Sequence, residues 1–340
     1  MTEITRISIA TSKSVFTLHG VDAQGRALLR RNLRRRELVP FFTKLPPVEV
    51  AMEACGGSHP WGRTLQDLGH RVRLIPAQYV KPFVKRGKDD RNDAEAISEA
   101  ANRPGIHDVA IKSAETQAKA MLLSVRDLLV RQRTQMANAL RGHATEMGLV
   151  APKGERGLAK LRAEITEDAS LPEAARSALQ MLGNEVDRIE ADLAEADKPL
   201  MAQHKADADS QRLAQIPGIG PIGALSFALC VDAKQFESAR HFAAWLGLVP
   251  QEKSTGGKQR MGGISRAGNE RLRALLVLGA TSVISHAKPG RPGVSAWLLK
   301  LLERKPRKLA AVALANKMAR IVWAMLTSGE AYRGTTPVAA

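Results

Sequence analysis

Two long stretches with helical spacing of apolar residues constrain this chain more than any other feature. The first covers residues 113 to about 148 and contains no proline or glycine before Gly142, and its apolar positions are Met121, Leu122, Val125, Leu128 and Leu129. The second covers residues 171 to 204, with apolar positions Leu179, Leu182, Val186, Ile189 and Leu193. The pattern predicts two long amphipathic helices connected near Gly148–Gly157. Such helices form either an antiparallel hairpin or a coiled-coil arm that joins two subunits.

The residues before this arm alternate between strand and helix patterns. The stretch from Arg6 to Arg26 predicts a β-hairpin, and PVEVAMEACGG and RVRLIPAQYV predict buried strands. HPWGRTLQDLGH predicts a helix, and the basic run RRNLRRRELVPFF is expected to begin or flank another. Residues 1–108 are therefore expected to form a layered α/β domain.

The residues after the arm are mostly helical in pattern. Two helices flank the turn IPGIG, then a helix, a glycine-rich basic loop and a further helix follow, and LAAVALANKMARIVWAMLTSG predicts a last apolar helix. Residues 109–208 are thus assigned to the arm and 209–340 to a helical C-terminal domain. No apolar run approaches the roughly 20 residues of a membrane span, and no signal peptide is evident.

The charge balance points to a polyanionic partner. Lysine and arginine total 51 against 34 acids, which gives a net charge of +17. Such an excess destabilises a compact chain unless a polyanion neutralises it, and nucleic acid is the leading candidate. The two cysteines, Cys55 and Cys230, lie far apart and indicate a reducing compartment.

Three acids have the pattern of a divalent-metal site. Asp90 and Asp93 stand three residues apart where a polar loop becomes a helix, so both share one helix face. Their oxygens suit a metal, although a helix N-cap would explain one of them. Glu53 lies within an apolar strand, where a buried carboxylate needs a partner or a metal.

A hydroxyl in PQEKSTGGKQRMGGISRAG lies among cations. Ser254 adjoins Lys253 and is followed by Lys258 and Arg260 in a glycine-rich stretch. Glycines let the backbone approach a phosphate, so Ser254 either binds a phosphate or attacks one. In IPGIG, Gly218 and Gly220 resemble the turn of a helix–hairpin–helix element, whose amides hold a DNA phosphate.

Two basic clusters are candidates for contact with a DNA or RNA backbone, and a solvated helix face is the alternative. The first cluster is Arg30, Arg31, Arg34, Arg35 and Arg36, and the second is Lys81, Lys85, Arg86 and Lys88. The chain has only 4% aromatic residues, which disfavours base stacking on a sheet as the main mode of recognition.

The order of these motifs resembles the DEDD transposases of insertion-sequence family 110, related to the Piv DNA invertases. SKSVFTLHGVD, MEACGG, KDDRNDAEAI, IPGIG and FAAWLGLVPQEKSTGGKQRMGGISRAGNERLR carry the resemblance over nearly the whole chain. It implies a RuvC-like (RNase H-like) domain whose four acids bind Mg²⁺ or Mn²⁺, a helical arm, and a C-terminal transposase domain with a nucleophilic serine. Glu53, Asp90 and Asp93 correspond to three of the acids and Ser254 to the nucleophile, with Lys253, Lys258, Arg260 and Arg266 near the phosphate.

The same resemblance implies the partners. They are target and donor DNA, a structured bridge RNA that guides several members of the family, and further copies of the chain in a dimer or tetramer. Family members act in the bacterial cytoplasm at the nucleoid, and no membrane partner is expected.

The family's first acid is missing from this sequence. Aligning Lys13, Val15 and Phe16 with the family pattern places Ala10 at that position. Loss of one carboxylate predicts strongly reduced cleavage with nucleic-acid binding kept. The alternatives are a metal-dependent nuclease or junction resolvase that uses water, and a non-catalytic nucleic-acid-binding protein derived from a transposase.

Overall fold

The computed structural model describes residues 3–85, 89–289, 291 and 294–334. The chain divides into two compact units, residues 1–117 and 118–340. The first unit is α/β and the second is mostly helical. This confirms the expected fold class and is compatible with a RuvC-like first domain. The finer separation of arm and C-terminal domain at residue 208 stays a prediction.

A five-stranded mixed sheet forms the centre of the first unit. The strands are β1 (Arg6–Ala10), β2 (Val15–Val21), β3 (Ala27–Arg34), β4 (Glu49–Ala54) and β5 (Arg71–Pro76). They lie in the order β3-β2-β1-β4-β5. β1 to β3 are antiparallel neighbours, while β4 is parallel to both β1 and β5.

The two faces of this sheet differ in the size of their side chains. One face carries large apolar residues such as Ile9, Phe16 and Met52, which pack with Leu65 of the neighbouring helix. The other face carries smaller buried side chains at its centre, including Ser8, Thr17 and Ala51. Because successive side chains on a strand alternate between faces, the even-numbered positions of β1 all belong to the small face.

Helices cover both faces of the sheet. They are α1 (Leu38–Thr43), α2 (Ser58–Asp67), α3 (Ala77–Val80) and α4 (Asp90–Ala101). The inner residues of α4, Ala96 and Ile97, pack against Ala51 and Ile75 on the small face. Only small side chains there let the helix approach closely, so the start of α4 comes near the ends of the central strands.

The basic run after the hairpin flanks a helix, one of the two predicted alternatives, and its first part forms a strand that was not predicted. Arg30, Arg31 and Arg34 lie in β3, at the edge of the sheet, and a short 3-10 turn over Arg35–Glu37 leads into α1. An edge strand has few buried positions, and only Leu33 of β3 is buried. The strand therefore lacks the alternation of apolar and polar residues that identifies the other four.

The arm is formed by α5 (Ala114–Glu146), α6 (Glu155–Glu167) and α7 (Glu173–Ala206), and all of it after residue 117 belongs to the second unit. Arg126 pairs with Asp197, and Arg133 pairs with Glu190. As the residue number rises in α5 it falls in α7, so the two helices are antiparallel. The predicted hairpin is thus confirmed within one chain, with α6 as an additional helix in its connection. Dimerisation through the arm stays a prediction.

The rest of the second unit packs around one apolar core. Its elements are α8 (Ala208–Leu213), α9 (Pro221–Cys230), α10 (Ala239–Trp245), β6 (Pro250–Glu252), β7 (Met261–Ile264), α11 (Glu270–Ser285), α12 (Ala296–Arg304) and α13 (Arg307–Ser328). Among the described residues, α13 alone is long and apolar enough to cross a membrane, which the sequence analysis did not expect. Its Ala315, Met318 and Val322 belong to the core, and a buried core helix has the same composition.

Candidate active site

Glu53 lies at the end of β4, where the strand leaves the core. Its side chain is half-buried. Burial, and secondly the negative charge of Asp93, raise the pKa of the Glu53 carboxyl. The two acids predicted from separate motifs, one on a strand and one on a helix, are therefore close enough to repel each other.

The N-cap explanation for Asp90 and Asp93 is excluded by their neighbour. The side chain of Asp89 accepts a hydrogen bond from the Arg91 amide at 3.0 Å, and it is the N-cap of α4. Asp90 is exposed and Asp93 is half-buried in the first turn. Neither Asp90 nor Asp93 is therefore the N-cap. The positive end of the helix dipole stabilises the negative charge of both carboxylates.

Ala10 is the last residue of β1 and lies beside Glu53 in the sheet. The parallel register between β1 and β4 pairs Ser8 with Ala51 and Ile9 with Met52, so Ala10 and Glu53 are the next pair along. Parallel neighbours in register point to the same face, and neighbouring strands are roughly 4.8 Å apart. An acid at position 10 would stand next to Glu53, on the face that α4 covers.

Two of the remaining acids fit a divalent cation. Among the described residues no three His, Cys, Asp or Glu side chains are grouped for a metal, so Glu53, Asp90 and Asp93 do not form a complete cluster. Mg²⁺ commonly takes only one or two protein carboxylates and completes its shell with water and substrate phosphates. The close pair of Glu53 and Asp93 suits that mode, since a cation would relieve their repulsion.

Ser254 lies in the connection between β6 and β7, two short strands of a hairpin that the sequence does not predict. β6 and β7 pair with Glu252 opposite Met261, and the Lys253 amide donates to the Arg260 carbonyl at 2.8 Å. The Ser254 hydroxyl is exposed, and its oxygen accepts a hydrogen bond from the Arg260 amide at 3.1 Å. This bond fixes the hydroxyl oxygen near the backbone and leaves its proton free to be transferred.

The glycines of this stretch make the turn of the hairpin. Gly256 has φ +56° and Gly257 has φ +76°, and the Lys258 amide donates to the Thr255 carbonyl at 3.1 Å. Two successive positive φ angles are typical of the tight turns that join antiparallel strands. A loop prediction from glycine content alone cannot distinguish such a turn from a phosphate cradle.

The cations predicted beside Ser254 are open to solvent. Lys253, Lys258 and Arg260 are exposed, and no described carboxylate lies within ion-pair distance of them. Arg266, which follows β7, is exposed and has φ +55°, the one positive value outside glycine among the described residues. A strained backbone conformation of this kind persists only where surrounding contacts enforce it.

The base of the hairpin is held by Arg273, a residue that the sequence analysis missed. It lies in α11, is 9% exposed, and donates to the carbonyls of Leu246 at 3.0 Å and Ala267 at 2.7 Å. These carbonyls precede β6 and follow β7. An RLR pattern at the start of a helix gives no signal of this role, because it depends on two distant turns.

We predict that Arg273→Met destabilises the second unit by about 2 kcal/mol, because two carbonyls lose a charged donor. Chemical denaturation measures the loss, and proteolysis of the hairpin should accelerate. Arg320→Met is the matched control, since Arg320 is exposed on α13. Equal stability of the two variants would contradict the role of Arg273.

The IPGIG turn joins α8 to α9 and leaves two amides open. Gly218 and Gly220 are exposed, and in the described part of the chain neither amide donates a hydrogen bond. Gly218 has φ +88°, and a Cβ there would lie 2.6 Å from the Gly279 carbonyl oxygen. The helices flank the turn as predicted, and its contact with DNA stays a prediction.

The residues of the two predicted basic clusters differ in their contacts. Arg31 lies over the Phe41 ring, and Arg35 lies over the rings of Phe16 and Trp61. Lys81 is exposed, and Lys85 pairs with Glu95 at 2.6 Å. Arg30, Arg34 and Arg36 are exposed, and Arg86 and Lys88 lie outside the described residues.

An open cavity between the β2–β3 strands and α4 adds to this surface. Its polar lining includes His19, Arg30, Asn32, Arg91 and Asn92. Asp90 and Asp93 begin the same helix, so the cavity adjoins the acidic residues.

Comparison with known proteins shows the family to which this chain belongs. Residues 9–148 match the DEDD transposase profile of IS110 type, and residues 210–293 match the profile of the transposase IS116/IS110/IS902 family. The chain belongs to the IS110 family of transposases. The first match contains Glu53, Asp90 and Asp93, and the second contains Ser254.

Curated relatives of this transposase cover almost all of its length. The y4pF/y4sB protein of Sinorhizobium fredii, which carries a transposase name, is 52% identical over 97% of the chain and 86% of its own length. The transposase for insertion sequence element IS1111A of Coxiella burnetii is 39% identical over 98% of the chain and 92% of its own length. That for IS1328 of Yersinia enterocolitica is 38% identical over 98% of the chain and 99% of its own length. The transposase therefore belongs with proteins that move insertion sequences.

Proposed function

We propose that this chain descends from an enzyme that cuts and rejoins DNA through a phosphoserine bond at Ser254. The observation that carries the proposal is the exposed Ser254 hydroxyl, held by the Arg260 amide among unpaired cations. Its oxygen attacks a backbone phosphate, its proton goes to solvent or a nearby base, and a 3′ hydroxyl leaves. The phosphoserine keeps the energy of the phosphodiester, so rejoining needs no nucleotide triphosphate.

Glu53, Asp90 and Asp93 would hold the Mg²⁺ or Mn²⁺ that the family implies. The bound cation would stabilise negative charge on the phosphate. In this chain Ala10 leaves that set one carboxylate short, and we propose that cleavage is strongly impaired as a result. Lys253, Lys258, Arg260 and Arg266 would bind the phosphate, and Arg273 would act as a positioning residue for their hairpin.

The DNA substrates follow from membership in a transposase family. A bridge RNA and a dimer or tetramer enter the proposal through the resemblance, supported by the net charge of +17 and by exposed apolar residues Met121, Val125 and Leu128 on α5. Sequencing of RNA that co-purifies with the chain tests the first of these partners.

The test of the nucleophile is a covalent DNA adduct. In an Ala10→Asp background with Mg²⁺, DNA carrying the insertion-sequence end should give an adduct that survives denaturation. Ser254→Ala should abolish it, since no other group replaces the attacking oxygen. The matched control is Thr255→Ala, which removes the next exposed hydroxyl of the hairpin. Adducts that persist without Ser254, or vanish equally without Thr255, would contradict the assignment.

A second function has one observation in its favour. Because Ala10 stands beside Glu53 where the resemblance implies an acid, this chain can serve as a nucleic-acid-binding protein that competes with active copies. The same adduct assay separates the two functions. An acid-restored chain that binds DNA, yet never forms an adduct or cleaves, would favour the binding protein.

A further inference from the structure

An exposed basic surface lies at the ends of α11 and α12, and no motif of the sequence analysis included it. We call it the helix-end patch. Its members are Lys288, Arg291, Arg304, Lys305, Arg307 and Lys308, all of them exposed. Within the described part of the chain none of the six forms an ion pair. Glu303, the acid that precedes the turn, is exposed and also makes no ion pair there.

The patch is one surface although its residues come from two segments. The Arg307 guanidinium donates to the carbonyl of Ile284 in the last turn of α11, at 3.3 Å. Arg291 donates to the carbonyl of His286 at 3.4 Å, which folds the segment after α11 back on the helix end. The turn between α12 and α13 therefore lies against the last turn of α11, the helix that precedes Lys288 in the chain.

Stabilisation of helix ends explains only part of this charge. The carbonyl end of a helix attracts cations, but the effect is confined to the last turn. Arg307 and Arg304 already donate to carbonyls of α11 and α12. Lys288, Lys305 and Lys308 make no side-chain hydrogen bond and no ion pair among the described residues, so their charges have no partner there.

The residue types select the kind of ligand. Six cations without acidic partners suit a row of phosphates, each of which carries one negative charge. Segments 286–291 and 304–308 contain no Phe, Tyr or Trp, so the patch offers no platform for unstacked bases. A duplex, with its bases stacked inside and its phosphates outside, matches such a surface better than a single strand.

We propose that the helix-end patch docks the backbone of duplex DNA without reading its sequence. It would hold the DNA on the second unit before and during strand exchange. The proposal rests on the DNA substrate of a transposase and does not depend on the chemistry of Ser254. A binding measurement therefore tests it even if the phosphoserine mechanism fails.

The test removes three lysines and follows the salt dependence of DNA binding. The variant K288Q/K305Q/K308Q is compared with the parent chain on a duplex of mixed sequence by fluorescence anisotropy at several salt concentrations. Each lost phosphate contact lowers the slope of log affinity against log salt by about 0.9, so the slope should fall by about two to three. Affinity at low salt should drop roughly tenfold or more.

The control variant makes the same change in net charge at paired cations. Lys160, Arg188 and Lys198 are exposed on α6 and α7, and each pairs with a glutamate one helical turn away. K160Q/R188Q/K198Q should keep the parent's slope, and melting curves should show that both triple variants remain folded. An equal loss in the control would overturn the proposal, because general charge would then explain the effect. An unchanged slope in the patch variant, or a loss seen only with duplex RNA, would overturn it as well.

Discussion

Ala10→Asp is expected to raise Mg²⁺-dependent DNA cleavage and joining by about 100-fold or more, since charge stabilisation by a metal is worth several kcal/mol. The physical reason is the register of the sheet. Position 10 follows Ile9, which pairs with Met52, so the register places it next to Glu53. Burial and the negative charge of Asp93 already raise the pKa of the Glu53 carboxyl. Under the proposed function, a carboxylate there would be the fourth member of the set that contains Glu53, Asp90 and Asp93.

The control for this prediction is Ala10→Asn, which has nearly the same shape and no charge. In a chelator, Ala10→Asp should melt below Ala10→Asn, because a third carboxylate adds repulsion to a half-buried pair. Addition of Mg²⁺ should reverse that order, since a cation that binds only the folded state stabilises it. If Mg²⁺ left the melting temperature of Ala10→Asp unchanged, the metal site would be contradicted, independently of any activity.

Gly279→Ala is expected to destabilise the second unit by about 3 kcal/mol, as overpacking against backbone does. Gly279 lies inside α11, and a Cβ there would lie 2.0 Å from the carbonyl oxygen of Gly218. That oxygen belongs to the IPGIG turn and cannot rotate away as a side chain can. Denaturant unfolding measures the loss, and the displaced turn should also weaken DNA binding.

The matched substitution is Gly142→Ala in α5. Gly142 is exposed, and a Cβ at that position would meet no described atom within 4 Å. Alanine is favoured over glycine inside a helix by about 1 kcal/mol, so this variant should be more stable than the parent. Opposite signs for two identical changes would show that backbone contact decides the result. A stabilising Gly279→Ala would exclude the close approach of α11 to the turn.

The fold was predictable where side chains alternate or recur with a clear period. β1, β2, β4 and β5 contain buried apolar residues on one face, and α5 and α7 repeat apolar residues over many turns. The pattern fails at the edges of structure. β3 buries one residue of eight, and β6 buries none, so neither differs from a loop in hydrophobicity.

The site was predictable in its residue types and less so in its geometry. The sequence marks Glu53, Asp90 and Asp93 because acids beside apolar segments are costly. It does not show that Asp89 takes the helix cap, since Asp89, Asp90, Asn92 and Asp93 are all residue types that fill that role. The role of Arg273 could not be predicted, because its two acceptors are backbone carbonyls. Every residue has a backbone carbonyl, so the sequence does not mark these two.

The capping role of Asp89 affects which acidic residues selection for folding can preserve. Because Asp89 supplies the N-cap of α4, the helix does not need Asp90 or Asp93 in that role. Selection for a folded product would then not preserve these two acids as helix caps. A gene copy could lose one of them and still encode a folded protein. The proposed loss of an acid at position 10 would be such a case, and a copy that binds DNA without cutting it would limit the spread of active copies.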